Sequence, residues 1–203
     1  MGRLKSYSKI AIFFIFFLLF SISFKYNLWK QNRIIIDAPS YYAYLPAFFI
    51  HHDLKLNFID ENPIFYKDKI WFYKIENGNK LIKHPIGIAV VLSPFFIIAH
   101  TISKFINATS DGYSFLYQNV LTLGVWFYVF IGLFYLRKHL LIYFSEKVTG
   151  ITLLAIFLGT NLLWYSSFEA FMSHAISFSF LCIANYFFYK WVTEENEKYA
   201  LRF

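Results

Sequence analysis

The chain has little of what stabilises or identifies a soluble protein. Only one of its 203 residues is a cysteine, Cys182, so no disulfide framework can form. Charged residues make up 15% of the chain, against about 25% in typical soluble domains. Internal repeats and low-complexity tracts are also absent from the sequence. These absences exclude disulfide-rich, repeat and ordinary soluble architectures.

Basic residues outnumber acidic ones, but they do not form a pattern typical of nucleic-acid binding. The formal net charge is +7, and the lysines and arginines lie mainly between apolar blocks. No helix carries a basic face and no nucleic-acid-binding motif is present. The lipid bilayer, through its anionic headgroups, and a phosphate-bearing substrate are the partners that this charge favours.

Apolar and aromatic residues are abundant instead. Hydrophobic residues account for 58% and aromatic residues for 24% of the chain, and the mean hydropathy is +0.47. They are gathered into long blocks, which is typical of membrane spans. The sequence therefore predicts an all-α polytopic membrane protein of the inner or plasma membrane. We expect about four transmembrane helices, with additional juxtamembrane or re-entrant helices on the outer side.

The first span is predicted at residues 10–29. Arg3, Lys5 and Lys9 precede it without an acidic residue among them, so the positive-inside rule puts the N-terminus in the cytoplasm. A cleaved signal peptide is the alternative interpretation. No small-residue cleavage site follows the apolar run, which favours an uncleaved anchor.

Three further spans are predicted at residues 113–136, 149–168 and 174–192, with a mixed-charge cytoplasmic tail from Thr193 onward. The block 85–99 is shorter and contains two prolines, which favours an interfacial or re-entrant segment. This interpretation also leaves the basic loop 137–147 in the cytoplasm, as the positive-inside rule prefers. The outer side then receives residues 30–112, with interfacial helices near 39–52 and 84–103, and a short turn at 169–174.

Several ionisable residues lie on this predicted outer side against apolar blocks. Such residues at a membrane boundary are costly and are candidates for function; they are Asp37, Lys83, His84, Glu169 and His174. Each has a simpler explanation. Asp37 could cap the helix that follows it, Lys83 and His84 could contact headgroups, and the pair in the short turn could be solvated.

If these residues converge on one outer cavity, their chemistry suits group transfer from a phosphate-linked lipid. A carboxylate at Asp37 can accept the proton of an attacking hydroxyl. The ammonium of Lys83 can pair with a phosphate as a point charge. Glu169 and His174 are candidates for holding a divalent metal ion, or for contacting phosphate and sugar groups.

The order of the motifs resembles the GT-C superfamily of membrane glycosyltransferases, which includes the protein O-mannosyltransferases and the lipid A aminoarabinose transferases. The matching segments, in chain order, are "DAPSYYAYLPAFF", "KHPIGIAVVLSPFF", "FYLRKHL" and "YSSFEAFMSHAISF". The resemblance implies that Asp37 is the catalytic base and that Lys83 and His84 contact the donor phosphate. His84 stands where the family has a proline, and Glu169 with His174 differs from its Asp-Met-Pro pattern.

The resemblance implies transfer of a sugar from a polyprenyl-phosphate donor to an acceptor on the extracytoplasmic side. Members of the superfamily have many more spans than the four predicted here, so we expect the chain to correspond to an N-terminal part. The alternative from another functional class is a non-catalytic membrane subunit or a transporter fragment.

Overall fold

The computed structural model describes residues 6–194. Arg3 and Lys5, on which the predicted orientation partly depends, lie outside this range, as does most of the mixed-charge tail. Helices dominate the described residues, and the fold is that of an all-α polytopic membrane protein. The helices are α1 (Tyr7–Lys25), α2 (Ala38–Tyr42), α3 (Tyr44–Phe49), α4 (Phe58–Glu61), α5 (Pro63–Tyr66), α6 (Gly87–Phe105), α7 (Phe115–Leu140), α8 (Glu146–Gly159), α9 (Leu162–Ser167) and α10 (Ser173–Glu194).

Four of these helices are long and apolar enough to cross a membrane: α1, α6, α7 and α10. Helix α6 reaches 19 residues, which is longer than the apolar block at 85–99 that the sequence delimits. At about 1.5 Å per residue, such a helix approaches the roughly 30 Å of a bilayer core. Its length is therefore compatible with a crossing, whereas the sequence favours an interfacial or re-entrant position.

The block predicted as a continuous span at 149–168 differs in the structure, which divides it between α8 and α9. The chain leaves the helix at Thr160, whose backbone is extended. The Thr160 hydroxyl accepts the N–H of Leu162 at 3.2 Å, so its side chain helps to start α9. Helix α8 has only 14 residues, too few to span the bilayer core by itself.

The chain divides into two compact units. The helix unit comprises the described parts of Met1–Tyr26, Trp126–Ser167 and His174–Phe203. The loop unit comprises Asn27–Val125 and Phe168–Ser173.

In the helix unit, small residues allow helices to approach closely. A Cβ added at Gly132 on α7 would lie 2.6 Å from the Cα of Ser179 on α10. A Cβ at Gly150 on α8 would lie 3.1 Å from backbone atoms of Tyr7 on α1. Small residues at helix contacts are how membrane helices gain packing energy, because lipid provides no hydrophobic driving force between them.

A polar cluster ties three helix ends together in the helix unit. Arg137 donates from Nη2 to Glu146 Oε1 at 2.8 Å and from Nε to the Ser8 hydroxyl at 2.6 Å. The Ser8 hydroxyl in turn donates to Glu146 Oε2 at 2.5 Å. The hydrogen bond from Ser8, followed by the charge of Arg137, holds the pKa of the Glu146 carboxyl below its usual value.

The loop unit is built around Tyr42, which is fully buried. Its hydroxyl donates to the carbonyl of Gly112, and its ring packs against Phe96, Tyr113 and Phe171. Gly112 adopts a φ of +79°, where a side chain would also crowd Pro46. Helices α2 and α3 pack against α6 in this unit.

A small hairpin completes the loop unit. Strands β1 (Tyr73–Lys74) and β2 (Lys80–Leu81) pair antiparallel, with Tyr73 opposite Leu81. Gly78 takes a φ of +82° in the connecting turn. A two-stranded hairpin is marginal alone. Lys80 anchors this one, because its ammonium donates to Asp60 Oδ2 at 2.6 Å and to the Leu56 carbonyl at 3.0 Å.

Candidate functional site

Asp37 stands at the N-cap position of α2, but its carboxylate makes no capping hydrogen bond. The backbone satisfies the start of the helix instead. The N–H of Ala38 bonds to the Ile35 carbonyl and that of Ser40 to the Asp37 carbonyl, both at 3.0 Å. The capping role that the sequence offers as an alternative is therefore wrong. The half-buried carboxylate remains free for other interactions.

The segment before Asp37 is held in place by a buried arginine. Arg33 is only 3% exposed, its N–H donates to Gln118 Oε1 at 2.7 Å, and its Nη2 donates to Asn119 Oδ1 at 2.5 Å. Burial lowers the pKa of Arg33 to about 10, so the guanidinium is still charged at neutral pH. These bonds tie the chain entering Asp37 to the first turns of α7.

Asp37 lines a cavity of about 450 Å³ in the loop unit, a size within the usual range for small-molecule sites. The wall combines two lysines, a hydroxyl and a run of aromatic residues with this carboxylate. The lining residues are Asp37, Ser40, Lys67, Ile70, Trp71, Phe72, Tyr73 and Lys83. We refer to this cavity as the outer pocket, after its position in the predicted outer segment.

The charges of the outer pocket are not neutralised by one another at close range. Among residues 6–194, neither Asp37 nor either lysine of the pocket belongs to an ion pair. Two ammonium groups and one carboxylate leave an excess of one positive charge. The pocket is therefore suited to an anionic ligand.

Lys83 and His84 are adjacent in sequence but point to different environments. Lys83 lines the outer pocket. The His84 ring packs against Tyr41, with ring centroids 4.3 Å apart, and its buried Nδ1 has no hydrogen-bond partner within the described part of the chain. The His84 carbonyl accepts the Tyr44 hydroxyl at 2.9 Å, which joins α3 to the start of α6.

An apolar groove lies along α3 and the start of α6. It encloses about 220 Å³, and its wall is almost entirely apolar; the lining residues are Tyr44, Leu45, Phe48, Phe49, Ile86, Ala89, Val90 and Ser93. Both segments that form this groove continue from the outer pocket. Ser40 precedes Tyr44 by one helical turn, and Lys83 precedes Ile86 by three residues. The outer pocket and the apolar groove are thus lined by consecutive parts of the same two chain segments.

Glu169 and His174 belong to different compact units. Glu169 is half-buried in the loop unit and does not line the outer pocket; nearby Phe171 packs against Tyr42. His174 is exposed near the start of α10 in the helix unit, where its ring stacks on Tyr165 with centroids 4.0 Å apart. Within residues 6–194, no three His, Cys, Asp or Glu side chains are grouped to hold a metal ion.

Sequence reasoning missed most of the outer pocket. Lys67 was one of several basic residues in the outer segment, and nothing distinguished it from the others. The run Trp71-Phe72-Tyr73 was the available signal, because aromatic residues there lie in a polar stretch.

No protein-family model, curated protein or solved structure matches this chain.

Proposed function

We propose that the chain is a membrane glycosyltransferase, or the N-terminal segment of one, that uses a polyprenyl-phosphate-linked sugar donor. The observation that carries the proposal is that the Asp37 carboxylate makes no capping hydrogen bond and lies in one pocket with Lys67 and Lys83. Transfer of a sugar from a phosphate-linked donor needs a base to accept the hydroxyl proton and cations to stabilise the phosphate that leaves.

In the proposed reaction, Asp37 is the general base. The acceptor hydroxyl oxygen bonds to the anomeric carbon of the sugar while the bond from that carbon to the phosphate oxygen breaks. The hydroxyl proton passes to the Asp37 carboxylate, and the bonding electrons leave with the polyprenyl phosphate. Lys83 stabilises the negative charge that grows on this leaving group, and Lys67 adds to the positive potential.

The apolar groove supports a lipid-linked donor over a water-soluble one. A polyprenyl phosphate has a charged head and a long apolar tail. The outer pocket offers cations for the head, and the groove beside Tyr44 and Ile86 offers apolar surface for the first part of the tail. A soluble sugar nucleotide would leave that groove unused.

Four further assignments belong to this proposal. The N-terminus is cytoplasmic, and the outer pocket opens on the extracytoplasmic side of the inner or plasma membrane. His84, whose ring packs against Tyr41, contacts the donor phosphate beside Lys83. Glu169 and His174 are two separate candidates, each within its own compact unit, for contact with the donor or with a divalent metal ion.

The Asp37→Asn variant tests the proposal. In membranes containing the protein, we expect the rate at which labelled sugar leaves the polyprenyl-phosphate fraction to fall about 10²–10⁴-fold, because amide nitrogen and oxygen cannot take the proton. Binding of polyprenyl phosphate should persist, since the lysines remain. Asp53→Asn is the matched control, because it removes an acid of the same segment that lies outside the pocket. An unchanged rate in Asp37→Asn would exclude Asp37 as the base.

A further inference from the structure

The wall of the outer pocket contains aromatic side chains with large exposed faces. Four consecutive residues, 70–73, line it. Trp71 is 45% exposed and Tyr73 is 59% exposed, whereas Ile70 is 3% exposed and anchors the segment. The chain thus presents two large rings to the pocket while burying the residue beside them.

Exposed tryptophan and tyrosine near a membrane commonly anchor a protein in the headgroup region. The surroundings of these two rings favour a different use. They share the pocket with Asp37, Ser40 and Lys83, all of which are polar. A ligand with one apolar face and a rim of hydroxyl groups would satisfy both parts of this wall, whereas a lipid tail would satisfy only the rings.

A sugar ring in the pyranose form has these properties. Several of its C–H bonds point to one face of the ring, and they carry a small positive charge. The face of an aromatic ring is electron-rich, so the two faces attract each other beyond the effect of buried area. The hydroxyl groups at the rim of the sugar remain free for hydrogen bonds to polar side chains.

We infer that Trp71 and Tyr73 form a platform on which the sugar ring of the donor packs. The inference rests on the proposed function and deepens it by assigning sugar recognition to these two residues. The platform holds the ring while Lys83 holds the phosphate and Asp37 faces the acceptor side. Trp71 and Tyr73 are then determinants of affinity and of sugar specificity.

The hairpin explains how the platform and the phosphate contact are held at a fixed spacing. Tyr73 lies on β1 and pairs with Leu81 on β2, and Lys83 follows two residues later. Lys80 ties β2 to Asp60 and to the Leu56 carbonyl, with its side chain only 5% exposed. Lys80 is therefore a positioning residue for the platform.

Fluorine NMR of the protein labelled with 5-fluorotryptophan tests the platform directly. The Trp71 resonance is assigned by its loss in Trp71→Phe. We expect it to shift with hexose 1-phosphates, namely the mannose and glucose forms, and not with inorganic phosphate. Trp164, exposed in the helix unit, serves as the internal control. The inference would be overturned if no sugar phosphate changed the chemical shift of Trp71, or if inorganic phosphate changed it equally.

Kinetics of sugar transfer supply the second measurement. Trp71→Ala should raise the KM for the lipid-linked donor about tenfold or more, and Trp71→Phe should recover much of that loss because it keeps an aromatic face. Ile75→Ala is the matched control, since Ile75 follows β1, is 43% exposed and does not line the pocket. A KM within twofold of wild type in Trp71→Ala would refute the platform.

The two measurements separate this inference from the proposed function. If Asp37→Asn abolishes transfer but Trp71→Ala does not change the donor KM, the platform is wrong and the transferase assignment stands. If sugar phosphate shifts the Trp71 resonance and Trp71→Ala weakens its binding, but no transfer occurs, the platform stands and the transferase assignment fails.

Discussion

The two acidic residues Asp37 and Asp53 should differ sharply in what their removal does to stability. Asp53 accepts the N–H of Lys55 at 2.8 Å on Oδ1 and that of Asn57 at 2.6 Å on Oδ2. Asp37 makes no hydrogen bond of this kind to α2. The structure therefore assigns a structural role to the Asp53 carboxylate and leaves the Asp37 carboxylate available for chemistry.

The expected magnitudes follow from these contacts. Asp53 is not an N-cap residue, but its carboxylate accepts backbone N–H groups as a capping carboxylate does, and loss of such bonds typically costs about 1 kcal/mol and up to about 2 kcal/mol. For a chain of this size, each 1 kcal/mol lowers the melting temperature by about 2–4 °C. Asp53→Ala should therefore melt about 2–8 °C below wild type. Asp37→Ala removes only weak, solvent-screened attraction to the lysines, about 0.5 kcal/mol or less, and should melt within about 2 °C.

Thermal unfolding in detergent or nanodiscs, followed by circular dichroism, measures both variants under one condition. The reasoning fails if Asp37→Ala is destabilised as much as Asp53→Ala, because its carboxylate would then be a structural element after all. A small stability change together with a large loss of transfer would identify Asp37 as a functional residue.

Two further predictions concern the helix unit and the topology. The pKa of Glu146 is lowered by folding, so its stabilising effect is present at neutral pH and is lost as the pH falls through the folded pKa. The gap in melting temperature between wild type and Glu146→Gln should therefore close in acid, and a gap that widens would contradict this sign. The native cysteine, Cys182, is first replaced in the protein. In intact cells, a membrane-impermeant thiol reagent should then label Asn79→Cys but not Ser145→Cys. Labelling of both would mean that α6 crosses the membrane, and labelling of Ser145→Cys alone would invert the orientation.

The long helices could be predicted from the sequence because their signal is the length of an apolar run. The described bounds of α1, α7 and α10 each include most of a predicted span. The helix predicted near 84–103 also corresponds to α6, Gly87–Phe105, although the apolar block 85–99 within it ends just before His100. In the structure the Nδ1 of His100 and the Tyr117 hydroxyl are hydrogen-bonded at 2.6 Å, which gives this polar side chain a partner within the helix packing. The helix break at Thr160 could not be predicted, because the residues around it are apolar on average and so belong to one continuous apolar run.

The outer pocket could be predicted only in part. Asp37 and Lys83 were expected on one side of the membrane, and the structure brings both to one cavity. The sequence could not identify Lys67 and Trp71 as pocket residues. Their side chains reach the pocket only because short helices and a hairpin with two-residue strands are held in place by contacts between residues far apart in sequence. Lys80, which fixes that hairpin through Asp60, carries no sequence signal for this role.

The central claim is that the outer pocket binds a phosphate-linked lipid. It is tested most directly by the dissociation constant of polyprenyl phosphate for the protein in nanodiscs. Lys83→Met and Lys67→Met should each weaken binding about tenfold, a loss of about 1.4 kcal/mol, whereas Lys55→Met should leave it unchanged, because Lys55 lies outside the pocket. Equal affinities for all four proteins would contradict the account.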